Sequence, residues 1–433
     1  MNRPTLNSNG FPKIIIIGGG FGGIELAKRL KDKNINVIML DKHNYHTFQP
    51  LLYQVATGGL EADSIAYPLR KILNNQERFT FRMAEVKHID PSIKKIYSNI
   101  GEIDYDYLVI ATGSDTNYFS NKEIEQFAMP MKSIPEALNI RSLILQNLEE
   151  ALITSNPIIK NSLLNYIIVG GGPTGVELAG ALAELKKHVV PNDYPELNIN
   201  DINVYLIEGG SKLLANMSEK ASVKAKHFLE EIGVQVLTNI TVTSYDGLLI
   251  KLSNERELLT KNVLWAAGVK GTIPSGLDKV AITKSSRIKV NEFNQVEGHS
   301  DIFAIGDVAV QVSQDYPNGL PGVAPVAIQQ GKTLAKNLIR ILKKESLLPF
   351  KYKNQGSMAT IGRNLAVVDL GKLHFQGTFA WFVWMFIHLM SLVGFRNKVI
   401  TFVNWVWSYI SFDRGTRLII RKYTRDTKPN NEL

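Results

Sequence analysis

Residues Lys13–Ile17 are one charged position followed by four isoleucines, and the run leads straight into Gly18. An apolar, β-branched stretch this short predicts a strand buried on both faces. Residues 22–31 then show helical spacing, and residues 36–40 form a second apolar run that closes on Asp41. Strand, glycine turn, helix and strand within about thirty residues make a βαβ unit. The same order recurs later. Residues 166–169 are an apolar strand, 170–175 a glycine turn, 176–188 a helix-like run rich in Ala, Leu and Glu, and 203–207 a strand ending at Glu208. Between helix and strand, residues 191–200 read as a loop-like insert. Three more apolar strands, at 107–110, 263–266 and 302–305, close on the small residues Ala111-Thr112-Gly113, Ala267-Gly268 and Gly306-Asp307.

The expected fold is therefore α/β, with two Rossmann-like dinucleotide-binding domains. The first is expected in two pieces, 11–119 and 287–342, with the second, 120–286, inserted in it. Residues 343–433 differ in character. The stretch 379–395 (FAWFVWMFIHLMSLVGF) is broken only by His388 and Ser391. As a helix it would reach about 25 Å, short of the ~30 Å of a bilayer core. Trp381, Trp384, Trp405 and Trp407 favour helices lying in the headgroup interface. A pair of helices buried at a dimer interface is the alternative.

Composition narrows the chemistry. The chain has 433 residues, 45% of them hydrophobic and 21% charged, and no cysteine. The missing thiols exclude disulfide exchange, thiolate nucleophiles, iron–sulfur ligation and zinc–cysteine sites, so redox chemistry must belong to a bound cofactor. The eight histidines are scattered without metal-binding spacing, and no metal is expected. Net charge is +9, and residues 396–433 supply +5 of it through eight Lys/Arg (396, 398, 414, 417, 421, 422, 425, 428) against three acids. Basic residues beside apolar stretches suit anionic lipid headgroups. No concentrated patch elsewhere points to nucleic acid. Residues 1–12 are short and polar, unlike a secretory signal, so the protein is expected to stay on the cytoplasmic side, and with the C-terminal helices to be a peripheral, monotopic membrane protein.

In Gly18-Gly19-Gly20-Phe21-Gly22-Gly23, Gly18 permits the tight turn, Gly20 lets backbone reach a pyrophosphate and Gly23 lets helix pack on strand. Asp41 lies 18 residues past Gly23, placed to bond ribose hydroxyls. The second copy is Gly170-Gly171-Gly172-Pro173-Thr174-Gly175, and its acid, Glu208, follows Gly175 by 33 residues because of the insert. A carboxylate there favours the free 2′-hydroxyl of NADH over the 2′-phosphate of NADPH. Two nucleotide sites without a thiol point to flavin plus nicotinamide. Gly306-Asp307 suits the flavin, its carboxylate accepting from ribitol hydroxyls and a following helix start facing the phosphates.

These residues resemble the type II NADH:quinone oxidoreductases, single-subunit flavoproteins on one membrane face. The likeness runs from Lys13 to about Arg421 and is carried by IIIIGGGFGG (14–23), YHTFQPLLYQVATGGL (45–60), LVIATG (108–113), IIVGGGPTGVELAGALAE (167–184), LWAAGV (264–269), IFAIGDVA (302–309) and VAPVAIQQG (323–331). Related disulfide reductases carry a cysteine motif where this chain has residues 49–57. The resemblance implies FAD held by Gly18, Gly20, Phe21, Gly22, Gly23, Asp41, Lys42, Thr112, Gly113, Gly306 and Asp307. It implies NADH held by Gly170, Gly172, Pro173, Thr174, Gly175, Glu208 and Gly268. Glu177 matches an acid beside nicotinamide and quinone, against the plainer reading of a first-turn glutamate stabilised by the helix dipole. Glu184, seven residues on, reads as solvated. Gln329 and Gln330 match the end of a quinone and flavin motif, giving Glu177 and Gln329 as catalytic candidates and Gln329, Gln330 and Trp384 as quinone-site candidates. Pro325 stands where many members have glutamine, and Trp384 where some have lysine. The implied activity is hydride transfer from NADH to FAD and two-electron reduction of a membrane quinone without proton pumping, in a homodimer. An NADH-dependent reductase of a ferredoxin or rubredoxin type, or a nucleotide-sensing flavoprotein, is the alternative.

Overall fold

The computed structural model describes residues 10–31, 33–74, 77–411 and 416–424. The first nine residues, and Arg414, Arg425 and Lys428 of the basic tail, lie outside them. The chain divides into two compact units. One comprises Met1–His46, Tyr67–Asp115 and Val269–Asn354, the other Thr47–Ala66, Thr116–Gly268 and Gln355–Leu433.

The first unit is built on a five-stranded parallel sheet in the order Ile302–Ala304, Tyr107–Ile110, Lys13–Ile17, Asn36–Asp41, Phe79–Met83. The isoleucine run is buried throughout because the sheet is covered on both faces. Ile14 and Ile16 pack with Leu26 of the helix Phe21–Arg29 and with Leu334 and Leu338 of the helix Ala324–Leu342. Ile15 and Ile17 face the other way, against Ile89, Ile96 and Ile103 of a three-stranded antiparallel sheet. Strand alternation thus divides one apolar run between two cores.

The second unit repeats the plan. Its parallel sheet runs Met129–Pro130, Asn262–Trp265, Asn165–Val169, Asn203–Glu208, Val234–Thr238. The 20-residue helix Ile134–Ile153 starts at a capping box, in which Ser133 and Glu136 satisfy each other's backbone N–H groups. The helix after the glycine turn, Pro173–His188, packs against the strand Ser357–Gly362 of a C-terminal antiparallel sheet. Gly180 makes this approach possible, since a Cβ there would collide with the Ile361 carbonyl. Residues from Gln355 onward belong to this unit, and their sheet packs on its helix, so they are more than a membrane tail.

Several elements differ from expectation. The insert after His188 carries a helical turn, Val190–Asp193, and a 3-10 turn, Ile199–Asp201. After Gly306 only a 3-10 turn forms, Gly306–Val308, and the next α-helix begins at Ala324, so no helix start directly follows Asp307. The apolar stretch 379–395 is split at Gly394, whose φ of +87° ends the run. It yields the 14-residue helix Thr378–Ser391 and the start of Phe395–Ser411. Among the described residues no helix is long and apolar enough to cross a membrane.

Trp384 and Trp405 are 1% and 8% exposed, so these two do not form an outward aromatic belt. They turn inward because Trp405 Nε1 donates to Gln54 Oε1 at 2.8 Å and Trp384 packs against Trp405 and His388. The outward face belongs to Phe379, Phe382, Phe386 and Met390 on one helix and Phe402, Val403, Trp407 and Ile410 on the next. Part of the basic tail is also committed to protein. Arg417 pairs with Asp193 at 2.5 Å, and Arg421 donates to Asn139.

Candidate active site

In the first unit the strand Lys13–Ile17 ends at Gly18, whose φ is +110°. A Cβ there would strike the Ala111 carbonyl, and one on Gly23 would strike the Gly18 carbonyl. Gly20 caps the helix, and a Cβ on it would meet nothing within 4 Å. The turn therefore leaves one bare face beside a helix N-terminus with no acid in its first turn, which suits phosphate. Asp41 reaches back across it. Its Oδ2 accepts the Gly19 N–H at 2.6 Å and its Oδ1 the His43 N–H at 2.7 Å. Each oxygen retains a lone pair for a ribose hydroxyl. Lys42, next to it, is exposed.

On the neighbouring strand end, Thr112 donates to the Thr272 carbonyl and Gly113 has a φ of +72°. Ser114 Oγ donates to Asp307 Oδ2 at 2.9 Å. Gln330 is buried, and its Oε1 accepts the Gly306 N–H at 2.8 Å. Gln329 is used differently, since its amide both donates to and accepts from the Lys353 backbone, at 2.9 Å each way. Both glutamines belong to the first unit.

The second unit reproduces the turn. Gly170 has a φ of +113°, and Gly175 packs on the Gly170 carbonyl as Gly23 does on Gly18. Gly172 faces open space. Pro173 takes the first helical position, where its missing N–H costs nothing, and it and Thr174 are exposed. Glu208 Oε2 accepts the Gly171 N–H at 2.5 Å and Oε1 the Gly210 N–H at 2.6 Å. Gly268 closes on Asn117, whose N–H its carbonyl accepts at 3.0 Å. In each unit, then, a strand-end carboxylate locks the turn it serves. With their bare faces and paired acids, both turns fit a dinucleotide.

Further along the same helix, Glu177 is the fifth helical residue, past the first turn, so the dipole is not its chief support. It is buried, and that burial pushes its carboxyl up to about 8, opposed by the Thr360 N–H at 3.5 Å and by the Trp384 indole. A glutamate with that affinity for its proton is mostly neutral at pH 7. It lines a cavity of about 110 Å³ together with Tyr53, Gln54, Trp381, Trp384 and Trp405. Trp384 Nε1–H is buried beside the Glu177 carboxyl, and no full hydrogen bond to the described protein satisfies it. His388 stacks on Trp384 at 4.2 Å, and its Nδ1 donates to the Trp384 carbonyl at 2.8 Å; burial lowers its pKa to about 4 and keeps it neutral. Glu184 is not simply solvated. It lines the same cavity and accepts the Arg363 N–H, because the strand that Gly180 admits ends beside it.

The structure thus gathers Glu177 and Trp384 in one cavity. It also adds residues the sequence reading had not singled out: His46 and Ser114 in the first unit, Tyr53, Gln54 and Arg363 in the second. Tyr53 and Gln54 lie within the cysteine-free segment 49–57, which was the one available signal. His46 sat in plain view in the motif 45–60, but only a three-dimensional contact gives it a role.

Residues 12–331 match the family of pyridine nucleotide-disulphide oxidoreductases, and the chain belongs to it. Residues 354–414 match the NDH2 C-terminal domain. Type II NADH:quinone oxidoreductase NdhA of Mycobacterium tuberculosis is 36% identical over 425 residues, covering 94% of this chain and 89% of that protein. A second enzyme of that organism, type II NADH:quinone oxidoreductase Ndh, is 33% identical over 95% of this chain and 91% of its own length. The chain is therefore a member of the type II NADH:quinone oxidoreductases, a flavin-dependent NADH dehydrogenase acting on quinone, with FAD and NADH as its cofactors. The fold agrees: the structure of NDH2 from Plasmodium falciparum in complex with NADH superposes with a TM-score of 0.85, at 23% identity, over 95% of this chain and all of that one.

Proposed function

We propose a division of labour for this NADH:quinone oxidoreductase in which the Gly18 turn, Asp41, Thr112, Gly113 and Asp307 hold FAD. The Gly170 turn, Glu208 and Gly268 hold NADH. When bound, FAD takes hydride from NADH and passes two electrons to quinone, a transfer that asks the protein for alignment and no acid or base. Quinone reduction does need protons. The observation that carries the reading is the buried, mostly neutral Glu177 in an aromatic cavity beside the Trp384 N–H, which no full hydrogen bond satisfies. A quinone carbonyl can accept from both, with Glu177 supplying a proton. Gln330 supports the flavin side through Gly306, and Gln329 fastens the Lys353 segment that follows its helix.

The enzyme works at a membrane surface, on its cytoplasmic face. Phe386 and Trp407, 65% and 62% exposed, belong to an outward apolar face that suits the headgroup interface, with Arg396, Lys398 and Lys422 on the same C-terminal segment. That face, or part of it, also serves a homodimer as the family resemblance implies. On this reading quinone reduction is not coupled to proton translocation. Steady-state assays of purified protein test the acceptor. Turnover with NADH and a soluble quinone, and none with a ferredoxin- or rubredoxin-type protein, is expected; the reverse preference would replace this reading.

A further inference from the structure

The two glycine turns correspond feature for feature, and that correspondence exposes one substitution. In each, a strand-end carboxylate takes the N–H of the second glycine, from Gly19 to Asp41 and from Gly171 to Glu208. In each, a leucine packs on that glycine, Leu69 on Gly19 and Leu213 on Gly171. In the second unit the Gly171 carbonyl accepts a backbone N–H, that of Leu214, at 2.8 Å. In the first unit the Gly19 carbonyl is met instead by a side chain, the imidazole of His46, with Nδ1 at 3.2 Å.

We propose that His46 is a positioning residue of the flavin-binding turn, its imidazole replacing the backbone donor that the second turn uses. A carbonyl can only accept, so the Nδ1 of His46 must carry the proton. The ring is 3% exposed and packs edge-on against Phe21 at 4.8 Å. Burial lowers its pKa to about 4, which keeps it a neutral, single-proton donor. The Gly19 carbonyl and the Gly20 N–H belong to one trans peptide plane and point in opposite directions. Tying the carbonyl inward to His46 therefore turns the Gly20 N–H outward, to the bare face of the turn. No described acceptor in the protein takes that N–H. The donor from His46 and the acceptor from Asp41 hold the Gly19 peptides from both sides, so the phosphate site is set before the cofactor arrives.

This inference rests on the first turn being the FAD site. The test uses the holoenzyme, and begins by heat-releasing the flavin of the wild type; absence of FAD would remove the site reading itself, whatever His46 does. FAD release on dilution is then followed by free-flavin fluorescence in His46→Phe, which keeps ring volume without a donor, and in His46→Asn, whose amide restores one. Release roughly five- to tenfold faster in His46→Phe is expected, the worth of one hydrogen bond, with most of it regained in His46→Asn and NADH affinity unchanged. Equal release in all three, no recovery in His46→Asn, or a parallel loss of NADH affinity would overturn the proposal. A variant-free measurement stands beside these. In ¹⁵N-histidine spectra of the wild-type holoenzyme at pH 7, His46 should be the Nδ1–H tautomer, and an Nε2–H tautomer would overturn it equally.

Discussion

Replacing Glu177 by glutamine should be neutral to stability at low pH and increasingly stabilising as pH rises. Burial moves its carboxyl from 4.5 to about 8, which corresponds to about 5 kcal/mol between charged and neutral forms in the fold. The unfolded chain releases this proton near pH 4.5, whereas the folded chain keeps it until about 8. Between those values the folded state binds more protons, so stability falls as pH rises. Below pH 4.5 the contribution is complete; above about 8 it is gone. At pH 7 roughly 3 kcal/mol of it is already lost, since 2.5 of the 3.5 intervening pH steps have been crossed. Glutamine has no proton to lose, can accept the Thr360 N–H in the same way and lies beside the same Trp384 indole. Glu177→Gln should therefore match wild type near pH 5 and exceed it by several degrees in thermal midpoint at pH 9. The same proton sets the chemistry: flavin reoxidation by quinone should slow above about pH 8 in wild type and be slower but pH-independent in Glu177→Gln. Parallel midpoint curves, or a wild-type rate that is flat through pH 8, would refute the reasoning.

Other outcomes follow from single contacts. Glu208→Gln should reduce the preference for NADH over NADPH, read as the ratio of kcat/KM values. Because an amide must present its NH2 to one of the N–H groups of Gly171 and Gly210, it should also cost about 1–3 kcal/mol of stability by losing one acceptor. Charging the outward face in Phe386→Glu/Trp407→Glu should abolish co-flotation with anionic vesicles and leave NADH-dependent flavin reduction intact; undiminished flotation would move the membrane surface elsewhere. Gly180→Ala forces a methyl against the Ile361 carbonyl and should lower the thermal midpoint by several degrees, an overpacking cost of about 1–3 kcal/mol.

Much of this architecture was legible in the sequence because each βαβ unit announces itself three times: a doubly buried strand, glycines at positions with no room for a Cβ, and an acid at the next strand end. Gly18, Gly23, Gly170 and Gly175 are fixed by backbone collisions, and such constraints are local. The rest depended on long-range packing. Trp384 and Trp405 looked like interface anchors because an apolar helix gives no sign of which side meets protein, and only Gln54, 351 residues earlier than Trp405, turns it inward. Arg417 and Arg421 counted as lipid-facing charge until Asp193 and Asn139 were seen beside them. The stretch beyond Pro349 read as a separate tail, yet its sheet covers the helix that carries Glu177. His46 was invisible for the same reason: its role is a contact with Gly19, 27 residues away.

The measurement that tests the central claim most directly is an anaerobic titration of the purified holoenzyme, following flavin absorbance while NADH and then a soluble quinone are added. Bleaching by one equivalent of NADH and full recovery by one equivalent of quinone is the predicted result. Bleaching that quinone fails to reverse would contradict the account at its quinone half, and no bleaching by NADH would contradict it entirely.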